Sequence, residues 1–442
     1  MLYFKEIKKV AFSITFAVLV FALIAMSVSQ DVLNFSDMII TEPQPGENYG
    51  IQAKEIPEQI MPAAFDSLCK EFTANKYIAY PIGFYKTVKL GEKDRENMAE
   101  IISALSGVPT DNILGYRTEA SSKDKIEITL DNAQNYTAQD DGSIIINNNN
   151  VTSDSEAPTE LTLKADISYE TFKAYMKKAD DLIGGGSRYS ESSLLQFGYV
   201  AITYDEAAEE YNNILAYDHF TGAYARLFCD YIGVFISILP VFISVALCLK
   251  DRRSRMNDLI YVRRISSFKL LFTRFFAMAT VIFIPTIILA YISNISVWSS
   301  YSGMALDYLA PLKYVLGWLM PSVMISTAVG MFFTEITNTP IAIVIQGLWW
   351  FIDINVDARK TSAGYALFQL TPRHNSLGNT QTFIDGYDTL VTNRVLFAVA
   401  ALVLVIASAV VYELKRRGNL YGAEKARKTI SDFTNNENES AA

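Results

Sequence analysis

The sequence lacks the short motifs that mark most enzyme active sites. Its 442 residues contain no GxxxxGK[ST] phosphate loop, no HExxH metal motif and no GxSxG nucleophile turn. The only glycine-rich stretch, GGGSR at 184–188, has neither the lysine nor the spacing of a phosphate loop. The chain therefore shows no means of binding ATP, and we predict that it is not an enzyme and holds no cofactor of its own.

Histidine and cysteine are scarce. We interpret the two histidines, His219 and His374, as surface or packing residues, and a catalytic role is the alternative. Of the three cysteines, Cys69 is alone in the acidic part of the chain, so that part must fold without an internal disulfide. No zinc-site spacing of cysteine and histidine is present, and no metal site is predicted.

The charges are unevenly distributed along the chain. Residues 30–222 carry 15 Lys and Arg against 32 Asp and Glu, a net charge of −17, whereas the remainder has a net charge of +8. Half of all residues are hydrophobic, and the mean hydropathy is +0.17. The chain is too apolar for an ordinary soluble protein and too charged for one embedded entirely in a membrane. This pattern indicates two compartments, and no nucleic-acid partner is predicted.

Six apolar runs approach the roughly 20 residues that a helix needs to cross a bilayer. They lie at 10–28, 231–249, 275–292, 314–333, 336–352 and 395–412. The fifth is the weakest, because its uninterrupted apolar part is short and follows Pro340. The first resembles a signal peptide in its charged start, but its length favours an uncleaved helix. The predicted fold is a multi-pass α-helical membrane protein with six transmembrane helices and an inserted α+β extracellular domain.

The basic residues predict the orientation. With the N-terminus inside, segments 1–9, 250–274 and 413–442 carry 17 Lys and Arg, whereas the outer loops 294–313 and 353–394 carry 5. We therefore predict a plasma-membrane protein with both termini cytoplasmic. The expected parts are, in order: 1–29, N-terminus and first span; 30–222, extracellular domain; 223–413, five further spans, with a coupling loop at 250–274 and an outer loop at 353–393; and 414–442, a basic tail with a disordered end.

Local patterns predict several elements of the acidic part. Helices are expected at 93–105 and at 168–182, the second ending at the glycine run, and strands at 125–130, 143–147 and 161–165. Thr203 and Glu206 form the pattern of a capping box, which predicts a helix from there to about Tyr217.

Few ionisable residues lie deep in the apolar runs. Arg226, Asp230, Arg274 and Glu335 lie near span ends, so we expect them to reach water or lipid headgroups rather than to form an ion pathway. Three prolines, Pro240, Pro285 and Pro321, lie within predicted spans. Because each removes a backbone hydrogen bond, we predict that they bend their helices.

The cationic stretch LKDRRSRMNDLIYVRRISSF at 249–268 separates the second and third spans. Its apolar residues recur at helical spacing with arginines beside them, which predicts a short amphipathic helix. One interpretation is a helix that lies on anionic membrane lipid, and the other is a docking helix for a cytoplasmic protein. The residues assigned to this helix are Asp251, Arg252, Arg253, Met256, Leu259, Ile260, Arg263 and Arg264.

On this loop and its topology, the chain resembles the permease subunits of type-2 ABC exporters that have a large extracellular domain after the first span. Members carry an acidic-basic pair, a leucine cluster and a lysine entering the third span, and here Asp251-Arg252-Arg253, Leu259-Ile260 and Lys269 correspond. The family's Gly-Thr is missing, and Arg264-Ile265-Ser266 replaces its Pro-x-Ser. The stretch TYDEAAEEYNNILAYDHFTGAYARLFCDY at 203–231 is also similar to such permeases of Gram-positive bacteria.

The resemblance implies the partners. Family members couple through the loop helix to a separate ATPase subunit, which binds ATP and magnesium, and they pair with a second permease chain as homodimer or heterodimer. It also implies re-entrant outer helices, for which 363–370 is the candidate. The alternatives are a membrane scaffold or receptor whose outer domain binds a peptide, polymer or phage component, and a membrane enzyme without a recognisable motif.

Overall fold

The computed structural model describes residues 2–80, 85–115, 136–138, 144–146, 161–253, 265–357 and 365–417. These residues are mostly helical, with a few short strands. The chain forms two units, one of Met1–Tyr49 and Ile202–Ala442 and the other of Gly50–Ala201. The second unit is narrower than the predicted domain 30–222, because residues on both of its flanks belong to the first unit.

The unit Gly50–Ala201 has a small α+β fold. Its helices are α3 (Pro57–Ala74), α4 (Glu92–Ser106) and α5 (Tyr169–Ile183). Among its described residues the strands form three antiparallel pairs, which are β1 (Ile51–Ala53) with β6 (Tyr199–Ala201), β2 (Tyr77–Ala79) with β3 (Lys86–Val88), and β4 (Tyr136–Ala138) with β5 (Ile144–Ile146). One apolar core joins the three helices, around residues such as Phe65, Ile102 and Phe172.

Local sequence signals determine several ends in this unit. Helix α5 ends at Gly184, with φ of 103°, in the left-handed conformation that glycine adopts without a Cβ clash. Both predicted helices and the strand at 143–147 are present, whereas 161–165 forms no strand. The expected strand at 125–130 lies outside the described residues. Asn75 ends α3, and its buried amide both donates to and accepts from the Leu90 backbone at 3.1 Å.

The other unit contains the remaining described helices, most of which are apolar. In chain order they are α1 (Leu2–Ala11), α2 (Ile14–Ser29), α6 (Tyr204–Asn213), α7 (Thr221–Ile236), α8 (Leu239–Arg253), α9 (Ser267–Ser293), α10 (Ile295–Ser300), α11 (Ala310–Tyr314), α12 (Met320–Thr337), α13 (Ile341–Asp357) and α14 (Thr380–Arg416). The predicted capping box is present at the start of α6, where Thr203 and Glu206 bond each other's backbone N–H groups.

Three helical stretches are long and apolar enough to cross a membrane, namely Ser267–Ser300, Ala310–Thr337 and Thr380–Arg416. Two bent pairs, α1 with α2 and α7 with α8, raise the number to five if each pair is one span. Helix α13 is apolar but shorter. Three to five candidate spans among the described residues indicate a membrane protein.

The helix of the predicted first span is interrupted near its start. Helices α1 and α2 meet at 61°, and Ser13 caps α2 by accepting a hydrogen bond from the Phe16 N–H at 3.1 Å. Helix α1 does not continue the line of α2 but packs on α9, where Glu6 contacts Arg274 at 3.4 Å and both side chains are buried.

The expectation for the charged residues near span ends was wrong. Arg226, Asp230, Arg274 and Glu335 are each no more than 2% exposed in the folded chain. Hydropathy along the sequence does not register neighbouring helices and loops, and these cover all four side chains. Arg226, Asp230 and Arg274 find their partners inside the protein rather than in headgroups or water.

Candidate functional site

In the described part of the apolar unit, two π-helical segments interrupt the helices, Ile214–Asp218 after α6 and Val315–Leu319 between α11 and α12. Such segments are rare in proteins and occur frequently at functional sites. The first is followed by His219 and Phe220, which have φ of 48° and 56°. Positive φ is unfavourable for bulky residues and persists only where the surrounding fold imposes it.

Both π-helical segments border one groove, with a volume of about 540 Å³. Its walls are α11, α12 with the segment between them, and the first half of α14. Its lining residues are Tyr217, Asp218, His219, Gly222, Asp307, Ala310, Lys313, Tyr314, Leu316, Gly317, Trp318, Pro321, Phe383, Tyr387, Leu390, Val391, Arg394, Val395 and Ala398.

The groove is graded from polar to apolar. Arg394 contacts Trp318 and Lys415 contacts Glu335, so α12 and α14 run parallel. Most of the charged and aromatic lining residues lie at the end where both helices begin, and apolar side chains follow along α14, with Arg394 between Val391 and Val395. Leu316, Val391 and Val395 are 52%, 41% and 57% exposed, so the apolar part opens on the side of the unit.

A buried ion pair closes the polar end. Arg226 Nη1 lies 3.0 Å from Asp218 Oδ1 and 2.9 Å from Oδ2, with neither side chain more than 2% exposed. The hydrogen bond is formed to Oδ1, which also lies 3.4 Å from the Tyr314 hydroxyl, and Oδ2 is held by the ion pair. Burial raises the pKa of Asp218 above its ordinary value, although Arg226 opposes the shift. The guanidinium also lies 4.6 Å from the centre of the Phe383 ring, a cation–π contact.

The segment between α13 and α14 is held by two buried or half-buried carboxylates. Asp353 accepts hydrogen bonds from the N–H groups of Leu370 and Thr371, at 2.8 and 2.9 Å. Asp230 accepts from the N–H groups of His374 and Asn375, both at 2.9 Å. Each carboxylate satisfies two successive backbone donors in a segment without regular structure, as buried polar groups require.

Arg394 holds the same segment through its carbonyl groups. Its guanidinium donates to the Gln369 and Leu370 carbonyls at 3.0 and 3.3 Å, to the Trp318 carbonyl at 3.1 Å and to Ser322 Oγ at 2.9 Å. These acceptors are neutral, and Arg394 forms no ion pair within the described part of the chain. The guanidinium thereby fixes the segment against α12 and α14.

His374 is buried in a defined protonation state. Its Nε2 lies 2.7 Å from the Gly378 carbonyl, which only accepts, so Nε2 carries the hydrogen and Nδ1 accepts from the Tyr365 hydroxyl at 3.0 Å. Burial, followed by the nearby Arg226, lowers the pKa of His374 to about 4. The ring is a neutral packing residue, and neither of these two hydrogen-bond partners is the Ser or Cys nucleophile that a catalytic histidine would activate.

The far end of α14 contacts both neighbouring connections. Arg416 Nη1 donates to the Ile265 carbonyl at 2.7 Å, and Glu413 accepts from the Ser267 hydroxyl at 2.5 Å. Lys415 donates to the Glu335 carbonyl and, at 2.7 Å, to Asn338 Oδ1, at the end of α12. These three residues join the start of α9 to the ends of α12 and α14.

Most of the predicted docking residues lie outside the described residues. This holds for Met256, Leu259, Ile260, Arg263 and Arg264, while Asp251, Arg252 and Arg253 form the last turn of α8. The predicted role of this stretch stays a prediction.

The three prolines occupy different positions. Pro240 is the second residue of α8, beside the 40° bend from α7, and Pro285 lies inside α9. Pro321 is the second residue of α12, just after the second π-helical segment, and lines the groove. The expectation of a helix at 363–370 was wrong for its described residues, because 365–370 form turns held by Asp353 and Arg394.

Sequence reasoning missed the groove. Its charged residues are spread from 218 to 394, and no local motif joins them. The usable signal was the presence of Arg226 and Asp230 one helical turn apart in an apolar run, which marks intramembrane ionisable residues as functional candidates.

The described residues contain no group of three His, Cys, Asp or Glu that could hold a metal ion. Comparison with family models, curated proteins and solved structures gave no match for this chain.

Proposed function

We propose that this chain is the permease subunit of an ATP-driven ABC transporter, an exporter that lacks a nucleotide site and works with a separate ATPase subunit. In this proposal the two bent helix pairs, the three long apolar helices and α13 are six spans, and both termini are cytoplasmic. The unit Gly50–Ala201 then lies outside the cell. ATP and magnesium belong to the ATPase, and a second permease chain completes the transporter.

The observation that carries the proposal is the attachment of the cationic loop to the helices. Helix α8 continues without interruption to Arg253, at the start of the cationic loop. At the end of the loop, the Ile265 carbonyl accepts a hydrogen bond from Arg416 of α14. Ser267, at the start of α9, is bonded to Glu413 of the same helix. A displacement of the loop would thus move α8 and α9 through the backbone and α14 through these hydrogen bonds.

A transporter needs such a connection because its chemistry takes place in another chain. Closure of the ATPase dimer changes the position of the loop, and the attached helices change access to the groove. The loop must contact the ATPase differently in its two states, since equal binding to both shifts no equilibrium. The absence of recognisable nucleotide and catalytic motifs in the sequence agrees with this division of labour.

Co-purification from native membranes tests the proposal. We expect the intact chain to recover an ATPase, and we expect Leu259→Asp or paired Arg263→Glu and Arg264→Glu to lose it, because they remove the apolar contact or reverse the charge of the docking helix. The matched control is paired Lys86→Glu and Lys93→Glu, two exposed positions in the other unit. Full ATPase recovery with the loop variants, at wild-type melting temperature, would disprove the docking assignment, and recovery of no ATPase by the intact chain favours the scaffold or receptor.

A further inference from the structure

Helix α1 presents lysines and aromatic rings on its exposed face. Lys5 and Lys8 are exposed, and neither forms an ion pair or a hydrogen bond within the described part of the chain. Phe4 and, directly after the helix, Phe12 are 68% and 87% exposed. The one acidic residue of the helix, Glu6, is buried. Cations beside exposed aromatic rings are typical of a helix that lies at a membrane surface.

Contacts with α9 place α1 at the inner end of a predicted span. Glu6 contacts Arg274 at 3.4 Å, and the Tyr3 and Thr280 hydroxyls share a hydrogen bond at 2.7 Å. Arg274 directly precedes the apolar run 275–292, so the middle of α1 lies level with the start of that run. The bend of 61° turns α1 away from the direction of α2. Helix α1 therefore fits the boundary between hydrocarbon and headgroups on the predicted cytoplasmic side.

A small cationic pocket lies where α1 meets α9 and α14. Its volume is about 50 Å³, which is room for a few atoms of the size of a water or a phosphate oxygen. Lys9, Arg274 and Arg416 contribute cations to its lining, and Glu6 is the only acidic residue there. Lys5 lies one helical turn before Lys9 on the same side of α1, so it extends the cationic lining towards the exposed face.

The charges around this pocket do not cancel. Glu6 is shared by two cations, Lys9 at 3.1 Å and Arg274 at 3.4 Å. The neighbouring carboxylate, Glu413, is likewise shared by two arginines of α14, at 2.9 and 4.0 Å. Four cations thus face two carboxylates, and the two exposed lysines of α1 add to this excess. The excess selects an anionic ligand over a neutral or cationic one.

We propose that α1 binds an anionic phospholipid of the cytoplasmic leaflet, with its phosphate group at the pocket beside Lys5 and Lys9. Phe4 and Phe12 then lie among its acyl chains. Anionic lipid is the source of phosphate that fits this position, because it attracts clusters of lysine and arginine next to a span. The inference depends on the predicted cytoplasmic N-terminus and not on the ATPase of the proposed function.

The test is a lipid titration of the full chain in detergent micelles, followed by native mass spectrometry, which counts the lipid molecules bound to each protein. The probe is dioleoylphosphatidylglycerol, and dioleoylphosphatidylcholine, with the same acyl chains and no net charge, is the comparison. We expect the first phosphatidylglycerol molecule to bind at least tenfold more tightly than phosphatidylcholine. Paired Lys5→Gln and Lys9→Gln should weaken phosphatidylglycerol at least tenfold and leave phosphatidylcholine unchanged, since each lysine near a membrane surface contributes about fivefold.

A lysine outside the pocket provides the matched control. Lys269 is exposed at the start of α9, on the same predicted side of the membrane, and does not line the pocket. We expect Lys269→Gln to bind phosphatidylglycerol within twofold of wild type. Lys5→Gln alone should weaken it about fivefold, and this variant decides the point if the paired variant melts below wild type, because it breaks no ion pair in the described structure.

Inorganic phosphate distinguishes a lipid site from a site for free phosphate. A ligand that binds the folded chain raises its melting temperature, so we expect phosphatidylglycerol to raise that of wild type and not that of the paired variant. Inorganic phosphate should raise neither, relative to sodium chloride at the same ionic strength. The proposal is wrong if both lipids bind equally, if Lys269→Gln weakens phosphatidylglycerol as much as Lys5→Gln does, or if inorganic phosphate stabilises the chain as phosphatidylglycerol does. Recovery of an ATPase is measured separately, so either result can stand without the other.

Discussion

Replacing Asp230 with asparagine tests how the segment before α14 is held. In the native chain both carboxylate oxygens accept backbone hydrogen bonds at 2.9 Å, from His374 and Asn375, in a fully buried position. The asparagine side chain would retain one oxygen and present an NH₂ group to the second N–H. One bond to a charged group is then lost and one donor is left buried without a partner.

The magnitude follows from these two losses. A hydrogen bond to a charged group contributes about 1.5–3 kcal/mol, and an unsatisfied buried donor costs about 1–3 kcal/mol. Because the two terms overlap, we expect Asp230→Asn to destabilise the folded chain by about 2–4 kcal/mol. At about 2–4 °C per kcal/mol for a domain of this size, the melting temperature falls by roughly 5–15 °C.

Thermal unfolding in detergent at a fixed scan rate, followed by intrinsic fluorescence, measures this shift. The control is Asp385→Asn, because Asp385 is exposed on α14 and its side chain accepts a hydrogen bond from a neighbour on the same helix, Gln381, at 2.8 Å. We expect the control to melt within about 2 °C of wild type, as surface substitutions usually do. If Asp230→Asn melts with the control, the carboxylate does not hold the segment.

Two further predictions concern pH and close packing. The pKa of His374 is about 4 in the folded chain against an ordinary value of 6.5, so on acidification the unfolded chain binds this proton before the folded chain does. The contribution of neutral His374 to the free energy of unfolding is therefore complete above pH 6.5 and is lost as the pH falls towards 4. The loss is about 3 kcal/mol at 1.36 kcal/mol per pKa unit. Between pH 7 and pH 4 the melting temperature should therefore fall less for His374→Gln than for wild type, and an equal fall would refute the assignment. At Gly330 an added Cβ would collide with Ser244 Oγ, so Gly330→Ala should destabilise by about 1–3 kcal/mol. Adding Ser244→Ala should restore part of the melting temperature, and an unaffected single variant would show that α8 and α12 do not meet there.

The sequence by itself determined the features that depend on neighbouring residues. The capping box at Thr203 and the end of α5 at Gly184 follow from side chains within a few residues, and both are present as predicted. The long apolar helices follow from hydropathy summed over about 20 residues, which needs no knowledge of the fold. Even so, the break at Ser13 and the short α13 show that composition alone does not fix where a span begins or ends.

Only the tertiary structure decided where the charges lie and what they bind. Asp230 meets backbone N–H groups 144 and 145 residues away, and Arg394 meets the Trp318 carbonyl 76 residues away. A charged residue near the end of an apolar run has the same hydropathy whether it reaches water or is buried. Burial is tolerated where hydrogen-bond partners compensate for the lost hydration, and those partners come from packing between distant elements.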